Sequence, residues 1–242
     1  MKVVVLGSGG MLGKAICREL EDSHIEYDGL DHSKFDVTTG DISKIKADCL
    51  INCAGIIPLK KASVKETIAV NAFAPIEIVS KFSGHVILVS TDCVFSGNLP
   101  LGQSYTISDI PDSKDLYGMT KILGEIKTSN ATIVRTSFIG NDHGLMKWVM
   151  DNNCKQVNGY KYSMWSGSIV EEVSMHIVCI AKQSKPLGLV HLSTRQPISK
   201  LDLINLIVKR LGLSIIVNPA ETPIINRVLK PTIELKSIWT AM

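Results

Sequence analysis

The stretch Lys2-Val3-Val4-Val5-Leu6-Gly7-Ser8-Gly9-Gly10-Met11-Leu12-Gly13 decides the fold class of this chain. The run over residues 2–6, apolar from Val3 onward, predicts a buried strand, and the pattern from Met11 to Glu21 predicts a helix with one apolar face. The loop between them has glycine at its first, fourth and seventh positions, from Gly7 to Gly13. Such a loop brings backbone N–H groups and the positive end of a helix dipole to one place. This arrangement predicts a binding site for the phosphates of a dinucleotide.

Short apolar runs and longer helical patterns alternate along the first 137 residues. Further strands are predicted at residues 25–30, 49–52, 85–90 and 131–135, with helices at about residues 63–82 and 117–127. This alternation is typical of an α/β fold, a doubly wound parallel sheet of the Rossmann type.

Beyond residue 137 the strand signals weaken. Turn-rich sequences at residues 141–144 and 151–153, with amphipathic helices at residues 170–182 and 200–211, predict a smaller lobe. We expect residues 1–137 to form a Rossmann domain that binds a nicotinamide cofactor. We expect residues 138–242 to form mostly a substrate-binding lobe, with segments that return to the main sheet.

The composition excludes several classes of protein. The 26 Lys and Arg residues exceed the 23 Asp and Glu by three, and no basic run is interleaved with aromatics, so we expect no nucleic-acid partner. No stretch of about 18 apolar residues is present, so we expect no membrane span. The six cysteines form no CxxC pair and no zinc-type cluster. We therefore expect no metal site and a reduced, cytoplasmic protein.

Asp31 lies 18 residues after Gly13, at the end of the second predicted strand. A carboxylate at this position accepts hydrogen bonds from the ribose hydroxyls of a dinucleotide and favours NADH over NADPH. The next three residues, His32, Ser33 and Lys34, are able to hold a 2′-phosphate. Both NADH and NADPH therefore remain candidates at this point.

Tyr117 and Lys121 form a Y-x-x-x-K motif at the start of a predicted helix. Residues four apart lie on one helical face, so the phenol and the ammonium share a cleft. A tyrosine is a poor acid or base near neutral pH until a nearby cation lowers its pKa. Ser90 and Thr91 end a predicted strand, where a hydroxyl lies beside a bound cofactor. These residues indicate acid–base catalysis at a carbonyl group.

Five segments carry a resemblance to a known family: Asn52–Gly55, Ser90–Phe95, Tyr117–Lys121, Arg135–Ser137 and Trp165–Gly167. Together with the G-x-x-G-x-x-G spacing, they resemble the extended short-chain dehydrogenases/reductases, and most closely the dTDP-4-dehydrorhamnose reductases. The resemblance implies reduction, by NADPH or NADH, of the 4-keto group of a nucleotide-linked 4-keto-6-deoxyhexose. It also implies a place in deoxysugar or polysaccharide biosynthesis, a nucleotide-sugar substrate and a homodimer.

The resemblance assigns a role to each matching residue. Tyr117 gives a proton to the carbonyl oxygen, Thr91 hydrogen-bonds that oxygen, and Lys121 binds the nicotinamide ribose and lowers the tyrosine pKa. The residues assigned to the cofactor are Gly7, Gly10, Met11, Leu12, Asp31, Asp36, Val37, Ala54, Gly55, Tyr117 and Lys121. The residues assigned to the substrate are Val94, Phe95, Lys147, Trp165 and Arg227.

Cys93 is the position that leaves alternatives open. Sugar-nucleotide dehydratases carry Glu there and simple 4-ketoreductases carry Tyr, whereas a cysteine resembles GDP-fucose synthase and the UDP-rhamnose epimerase/reductases. In those families the thiol exchanges protons at C3 and C5 of the sugar, so a bifunctional 3,5-epimerase/4-reductase is one alternative. A second is a small residue that packs under the substrate. A third is a non-catalytic regulatory subunit that binds the cofactor alone.

Overall fold

The computed structural model describes residues 1–58, 61–140, 143–183 and 185–241. In chain order the strands are β1 (Lys2–Leu6), β2 (Glu26–Leu30), β3 (Cys49–Asn52), β4 (His85–Thr91), β5 (Ala131–Thr136), β6 (Phe138–Ile139), β7 (Gln156–Tyr160), β8 (Ser163–Trp165), β9 (Ser168–Ile169), β10 (Gly188–Ser193), β11 (Ile198–Ser199), β12 (Ile216–Ala220), β13 (Ile225–Asn226) and β14 (Ile233–Glu234). The helices are α1 (Met11–Asp22), α2 (Val64–Ile68), α3 (Ala74–Lys81), α4 (Leu116–Leu123), α5 (Gly144–Asp151), α6 (Val170–Ala181), α7 (Lys200–Leu211) and α8 (Ile238–Ala241).

Seven parallel strands form the main sheet, in the order β2-β1-β3-β4-β5-β10-β14. The chain runs from β1 to β2 on one side and to β3 on the other, so the predicted doubly wound α/β sheet is confirmed. Leu6 pairs with both Leu30 and Asn52, and Asn52 pairs with Leu88. The register therefore places the loops that follow β1, β2, β3 and β4 along one edge of the sheet.

The apolar run of β1 is buried on both faces because successive side chains point to opposite sides of a strand. Val3 and Val5 pack in a cluster with Ile16 of α1 and with residues of α6. Val4 and Leu6 pack on the other face in a cluster with Ile78 of α3. Full burial of one such side chain contributes about 1.5–3 kcal/mol to folding.

Residues beyond 137 contribute to two places. Strands β10 and β14 and helix α6 belong to the main sheet and its helical layer. A separate cluster joins side chains of α5, β7, β8, β11, α7 and α8, with Val149, Leu203 and Ile207 at its centre. Residues 141–142 of the turn predicted at residues 141–144 lie outside the described residues. In the described part of the chain, no helix is both long and apolar enough to span a membrane.

The helix predicted at about residues 117–127 is shorter than expected. It ends at Leu123 with Gly124 as its C-cap, and Gly124 packs so closely against the backbone carbonyl of Asn71 that a side chain there would overlap it. Glu125 then leaves the helix and turns inward to meet Arg135. The other long helix predicted in this half, at about residues 63–82, forms as α2 and α3 joined by one π-helical turn over Ala69–Phe73.

Candidate active site

The glycine loop after β1 packs so tightly against the protein's own backbone that Gly7 and Gly13 have no room for a side chain. Gly7 has a φ of +75°, and a Cβ there would lie 2.7 Å from the backbone nitrogen of Ala54. A Cβ on Gly13 would overlap the carbonyl oxygen of Gly7. Helix α1 begins without a side-chain cap among the described residues. Its first N–H groups, including those of Met11 and Leu12, are thus available to an anion.

A backbone hydrogen bond from Gly10 closes the turn of this loop, and the loop is exposed to solvent. The N–H of Gly10 donates to the carbonyl oxygen of Gly7 at 3.0 Å, and both Gly9 and Gly10 are exposed. A loop of this shape, at the start of a helix and the edge of a parallel sheet, fits the pyrophosphate of a nicotinamide dinucleotide.

Asp31 follows β2 and lies beside the glycine loop, with its Cβ 3.3 Å from where a Cβ on Gly9 would stand. Its Oδ1 accepts hydrogen bonds from Ser33 Oγ at 2.7 Å, Ser33 N at 3.0 Å and Lys34 N at 3.2 Å. The Ser33 side chain, and then the Lys34 backbone, lower the pKa of Asp31. An ionised carboxylate here accepts hydrogen bonds from ribose hydroxyls and repels a 2′-phosphate.

Asp36 and Val37 lie farther along the same loop. Asp36 Oδ1 accepts hydrogen bonds from Thr38 Oγ1 at 2.6 Å and Thr38 N at 2.8 Å, and the bond from the side chain of Thr38 is the larger cause of its lowered pKa. Val37 is partly buried against the core. Their contact with an adenine ring stays a prediction.

Ala54 and Gly55 form the opposite wall of the glycine loop. The backbone N–H of Ala54 donates to Asn52 Oδ1 at 3.1 Å, which holds the turn after β3. A Cβ on Gly55 would lie 3.6 Å from Oδ1 of Asn71, the residue that anchors this turn from the other side.

Asn71 is a site residue that the sequence reasoning missed. It is fully buried on the π-helical turn, accepts from the N–H of Ile56 at 2.8 Å, and donates to the Ile56 carbonyl at 2.9 Å. Its amide also donates to Thr120 Oγ1 in α4 at 3.3 Å. Asn71 therefore connects the loop after β3 to the helix that carries Tyr117 and Lys121.

The predicted acid–base residues meet where β4 ends and α4 begins. Asp115 caps α4 by accepting from the N–H of Gly118 at 2.7 Å. Gly118 in turn packs against the carbonyl oxygen of Cys93, which a Cβ on Gly118 would overlap. This packing places Tyr117 beside Thr91, which lowers the pKa of the phenol.

Tyr117 retains its proton in this site. Burial raises the pKa of its phenol above the usual value, the adjacent Cys93 raises it further, and Thr91 offsets part of the rise. Lys121 Nζ donates to the carbonyl oxygen of Val89 at 2.8 Å, and burial lowers the pKa of Lys121 to about 8. The predicted lowering of the tyrosine pKa by Lys121 is not seen. The phenol is instead a neutral group with a proton to donate.

A cleft of about 660 Å³ lies between the turn after β4 and the C-terminal lobe, and its lining residues do not include Thr91, Tyr117 or Lys121. Among the residues predicted to bind substrate, Trp165 and Arg227 line it, together with Cys93. The other lining residues are Asp92, Ser137, Leu145, Trp148, Asn158, Tyr160, Ser163, Met164, Lys200, Ile204, Pro223 and Ile225. Trp165 is held by a hydrogen bond from its Nε1 to Ser137 Oγ at 2.7 Å.

Asp92 and Lys200 are two charged residues of this cleft that the sequence reasoning missed. Asp92 is 7% exposed and its Oδ1 accepts from Thr91 Oγ1 at 3.1 Å. Burial raises its pKa, and Lys200 and Arg227 counteract the rise. Lys200 Nζ lies 5.0 Å from the ring centroid of Trp165, and burial lowers its pKa while Asp92 raises it. A search of the described residues finds no His, Cys, Asp and Glu cluster that could hold a metal.

Cys93 and Arg227 are in direct contact at the inner end of the cleft. Arg227 Nη1 donates to Cys93 Sγ at 3.3 Å, and Arg227 Nη2 lies 3.8 Å from Asp115 Oδ2. Burial, and then the neighbouring Asp92, raise the pKa of Cys93 to about 12, although Arg227 favours the thiolate. The thiol is therefore protonated at neutral pH.

Val94 and Phe95 do not reach the cleft, so their predicted substrate contacts are wrong. Both are fully buried, and Phe95 stacks on Tyr105 with ring centroids 3.9 Å apart. The guanidinium of Arg135 lies 5.0 Å from the centre of the Phe95 ring. Residues 92–94 form a short 3₁₀ helix, which leaves Cys93 at the cleft and turns the next two side chains into the core.

Lys147 is also not at the cleft. Its side chain is 56% exposed, and its Nζ lies 2.9 Å from both carboxylate oxygens of Asp151, one turn later on α5. Helix α5 presents Leu145 and Trp148 to the cleft instead. The ammonium that the cleft does contain comes from Lys200.

A buried ion pair lies behind α4. Arg135 Nη2 and Glu125 Oε2 are 2.7 Å apart, and the two side chains are 2% and 6% exposed. Ser90 Oγ donates to Glu125 Oε1 at 2.6 Å, and His191 Nε2 lies 3.3 Å from Arg135 Nη1. Ser90 therefore faces this network, whereas the hydroxyl of Thr91 contacts Asp92 and Cys93.

Comparison with known proteins relates this site to a family. The model of the RmlD substrate binding domain family matches residues 1–230. The spore coat polysaccharide biosynthesis protein SpsK of Bacillus subtilis is 27% identical over 152 residues, which are 57% of this chain and 53% of SpsK. The dTDP-4-dehydrorhamnose reductase of Mycolicibacterium smegmatis is 28% identical over 150 residues, 57% of this chain and 46% of that protein. The chain thus matches about half the length of these relatives.

A solved structure agrees over nearly the whole chain. The dTDP-4-dehydrorhamnose reductase from Bacillus anthracis, in complex with NADP, superposes with a TM-score of 0.84 at 20% identity. The match covers 96% of this chain and 90% of that one. It establishes the same fold.

Proposed function

The chain belongs to the RmlD substrate binding domain family, and we propose that it reduces the 4-keto group of a nucleotide-linked 4-keto-6-deoxyhexose in deoxysugar or polysaccharide biosynthesis. The observation that carries this proposal is the cleft at the sheet edge. It contains Cys93 and Asp92, which flank the Thr91 and Tyr117 hydroxyls, and it lies on the same edge as the glycine loop. The names of the two reductases above support the same reaction class.

The cofactor of this proposal is NADH or NADPH. The loop from Gly7 to Leu12 and the turn at Ala54 and Gly55 would hold it, with Asp31 at the adenosine ribose. A bound reduced nicotinamide supplies the hydride. NADP in the Bacillus anthracis reductase supports this class of cofactor.

The side chains of this protein supply the proton. The keto oxygen lies between Thr91 and Tyr117, and Tyr117, which is neutral because burial raises its pKa, donates its proton as the carbonyl becomes an alcohol. Lys121, on the same helical face, binds the nicotinamide ribose. Arg227 and Trp165 bind the substrate farther along the cleft, the guanidinium at the diphosphate.

A bifunctional 3,5-epimerase/4-reductase is a second candidate, favoured by the 3.3 Å contact between Arg227 and Cys93. A guanidinium at this distance stabilises a thiolate, which an epimerase needs as its base. The raised pKa of Cys93 weighs against it. Deuterium incorporation at C3 and C5 during turnover in D₂O supports the epimerase, and incorporation at neither carbon rejects it.

The proposal includes a cytoplasmic homodimer. The exposed apolar side chains Phe73, Ile76, Met119 and Leu123 lie on α4 and on the adjacent end of the π turn and α3. A twofold contact between these helices would bury them in both copies. Light scattering of the wild type and of Leu123→Glu tests the dimer, because a charge at this interface should release monomers. The six free cysteines fit a reducing compartment.

The experiment that tests the function follows the loss of reduced nicotinamide absorbance. NADH and NADPH are offered separately with dTDP-, UDP- and GDP-linked 4-keto-6-deoxyhexoses, and the product is identified by NMR. Turnover with one sugar to the 4-hydroxy product supports the proposal. Tight cofactor binding with no turnover on any of these sugars contradicts it and favours the regulatory subunit.

A further inference from the structure

The hydroxyl of Thr91 can donate one hydrogen bond and accept two, and two of these three are made within the protein. Its oxygen accepts from the N–H of Cys93 at 3.1 Å, and its hydrogen is directed at Asp92 Oδ1 at 3.1 Å. A hydroxyl has one hydrogen and two acceptor positions. While Asp92 is ionised, the Thr91 hydrogen is therefore engaged and Thr91 has no hydrogen to give to a keto oxygen.

We propose that Asp92 acts through Thr91 as a proton relay, and that the site works only when Asp92 is protonated. A protonated Asp92 donates to the free acceptor position of Thr91, so the bond between the two residues reverses. The Thr91 hydrogen then turns to the keto oxygen of the substrate. This inference rests on the proposed function and adds a residue to it.

The relay also returns the proton that Tyr117 loses in each turnover. Tyr117 O–H breaks as its proton passes to the carbonyl oxygen, which leaves a tyrosinate and the alcohol. The tyrosinate then takes the Thr91 hydrogen while Thr91 takes the proton of Asp92, so the relay ends with a neutral Tyr117 and an Asp92 carboxylate. Asp92 lines the cleft, and solvent protonates it again after the product leaves.

The groups around Asp92 are suited to a carboxyl group that changes its protonation state. It is buried, which favours the neutral acid, and its pKa is raised. Two cations face it from other elements, Lys200 at the start of α7 and Arg227 after β13, and both oppose the rise. Cys93 Sγ, 3.5 Å from Asp92 Oδ1, is the third polar neighbour besides Thr91. Tyr117 of α4 is a further titratable neighbour, since Asp92 raises the pKa of its phenol.

The first test measures kcat against pH for the wild type and Asp92→Asn with the sugar that the wild type reduces. The asparagine side chain keeps the size of Asp92 but has no proton to pass on. We expect kcat to fall by about 100-fold, with KM changed little. In the wild type we expect kcat to fall at high pH as Asp92 ionises, and we call this fall the alkaline limb. Asp92→Asn should lose it. A merely structural role lowers kcat without removing that limb.

The second test shifts the pH of the alkaline limb instead of removing the limb. Lys200→Met takes away a cation that favours the Asp92 carboxylate, so the alkaline limb should shift to higher pH. Lys209→Met, an exposed lysine on the same helix, is the matched control and should leave the limb in place. A limb that stays fixed in both Asp92→Asn and Lys200→Met belongs to another group and overturns the relay alone. Absence of keto reduction by the wild type overturns the proposed function and the relay together.

Discussion

Gly118 offers a sharp test of how the site is assembled, because its expected effect on stability is opposite to the usual one. Alanine in place of glycine in a helix normally stabilises it by about 1 kcal/mol. Here an added Cβ would overlap the carbonyl oxygen of Cys93 and the Oγ of Ser113. Neither atom is the end of a long flexible side chain, so α4 or the turn after β4 must move.

The magnitude follows from these two opposing effects. Overpacking of this kind costs about 1–3 kcal/mol, so Gly118→Ala should lose up to about 2 kcal/mol of stability and still fold. The movement displaces Tyr117 from Thr91, and a displacement of about 1 Å in a reacting group lowers turnover about 100-fold. The free energy of unfolding in urea and kcat with NADH or NADPH measure the two effects.

Leu116→Ala is the matched control, because Leu116 is in the first turn of α4, outside the proposed dimer surface, and is 40% exposed. It should leave the free energy of unfolding and kcat close to those of the wild type. If Gly118→Ala is more stable than the wild type and turns over at the normal rate, the packing of α4 on Cys93 is wrong. The assignment of Tyr117 to the site would then lose its structural support.

Three further predictions concern the cofactor, the substrate and the buried ion pair. Asp31→Asn should raise the preference for NADPH over NADH severalfold, measured as the ratio of the two Kd values, because the ionised carboxylate repels a 2′-phosphate; an unchanged ratio contradicts this role. Arg227→Met should raise KM for the nucleotide sugar about 10–100-fold, since a hydrogen bond to a charged group contributes about 1.5–3 kcal/mol. A KM equal to that of the wild type would show that Arg227 does not bind the substrate. Arg135→Met should lower the free energy of unfolding by about 3–5 kcal/mol, because Glu125 is left buried without its partner; a loss below 1 kcal/mol in urea denaturation would show that the pair is not buried in solution.

The sequence predicts the fold, and it also predicts where the glycine loop, Thr91 and Tyr117 lie, because those features have local causes. The apolar run of β1 needs burial on both faces, and Gly7 needs a positive φ, so the strand and the loop can be located without a structure. Thr91 at a strand end and Tyr117 near a helix start converge because strand ends share one edge of a parallel sheet.

The rest of the site depends on contacts between distant segments. Asp92 and Lys200 are far apart in the chain and meet only because α7 of the C-terminal lobe begins at the cleft. Phe95 lies in a segment that resembles a substrate site, but the 3₁₀ turn over residues 92–94 rotates it into the core. Lys147 fails for a similar reason, since the face that α5 presents is decided by its packing on the lobe.

The central claim is that Tyr117 donates the proton in reduction of a nucleotide-linked keto sugar. The most direct measurement compares kcat and the Kd of the reduced nicotinamide for the wild type and Tyr117→Phe, which removes only the hydroxyl. The account predicts that Tyr117→Phe binds the cofactor with nearly unchanged Kd and loses at least about 100-fold in kcat. If Tyr117→Phe reduces the sugar at the wild-type rate, Tyr117 is not the proton donor and the proposed mechanism is wrong.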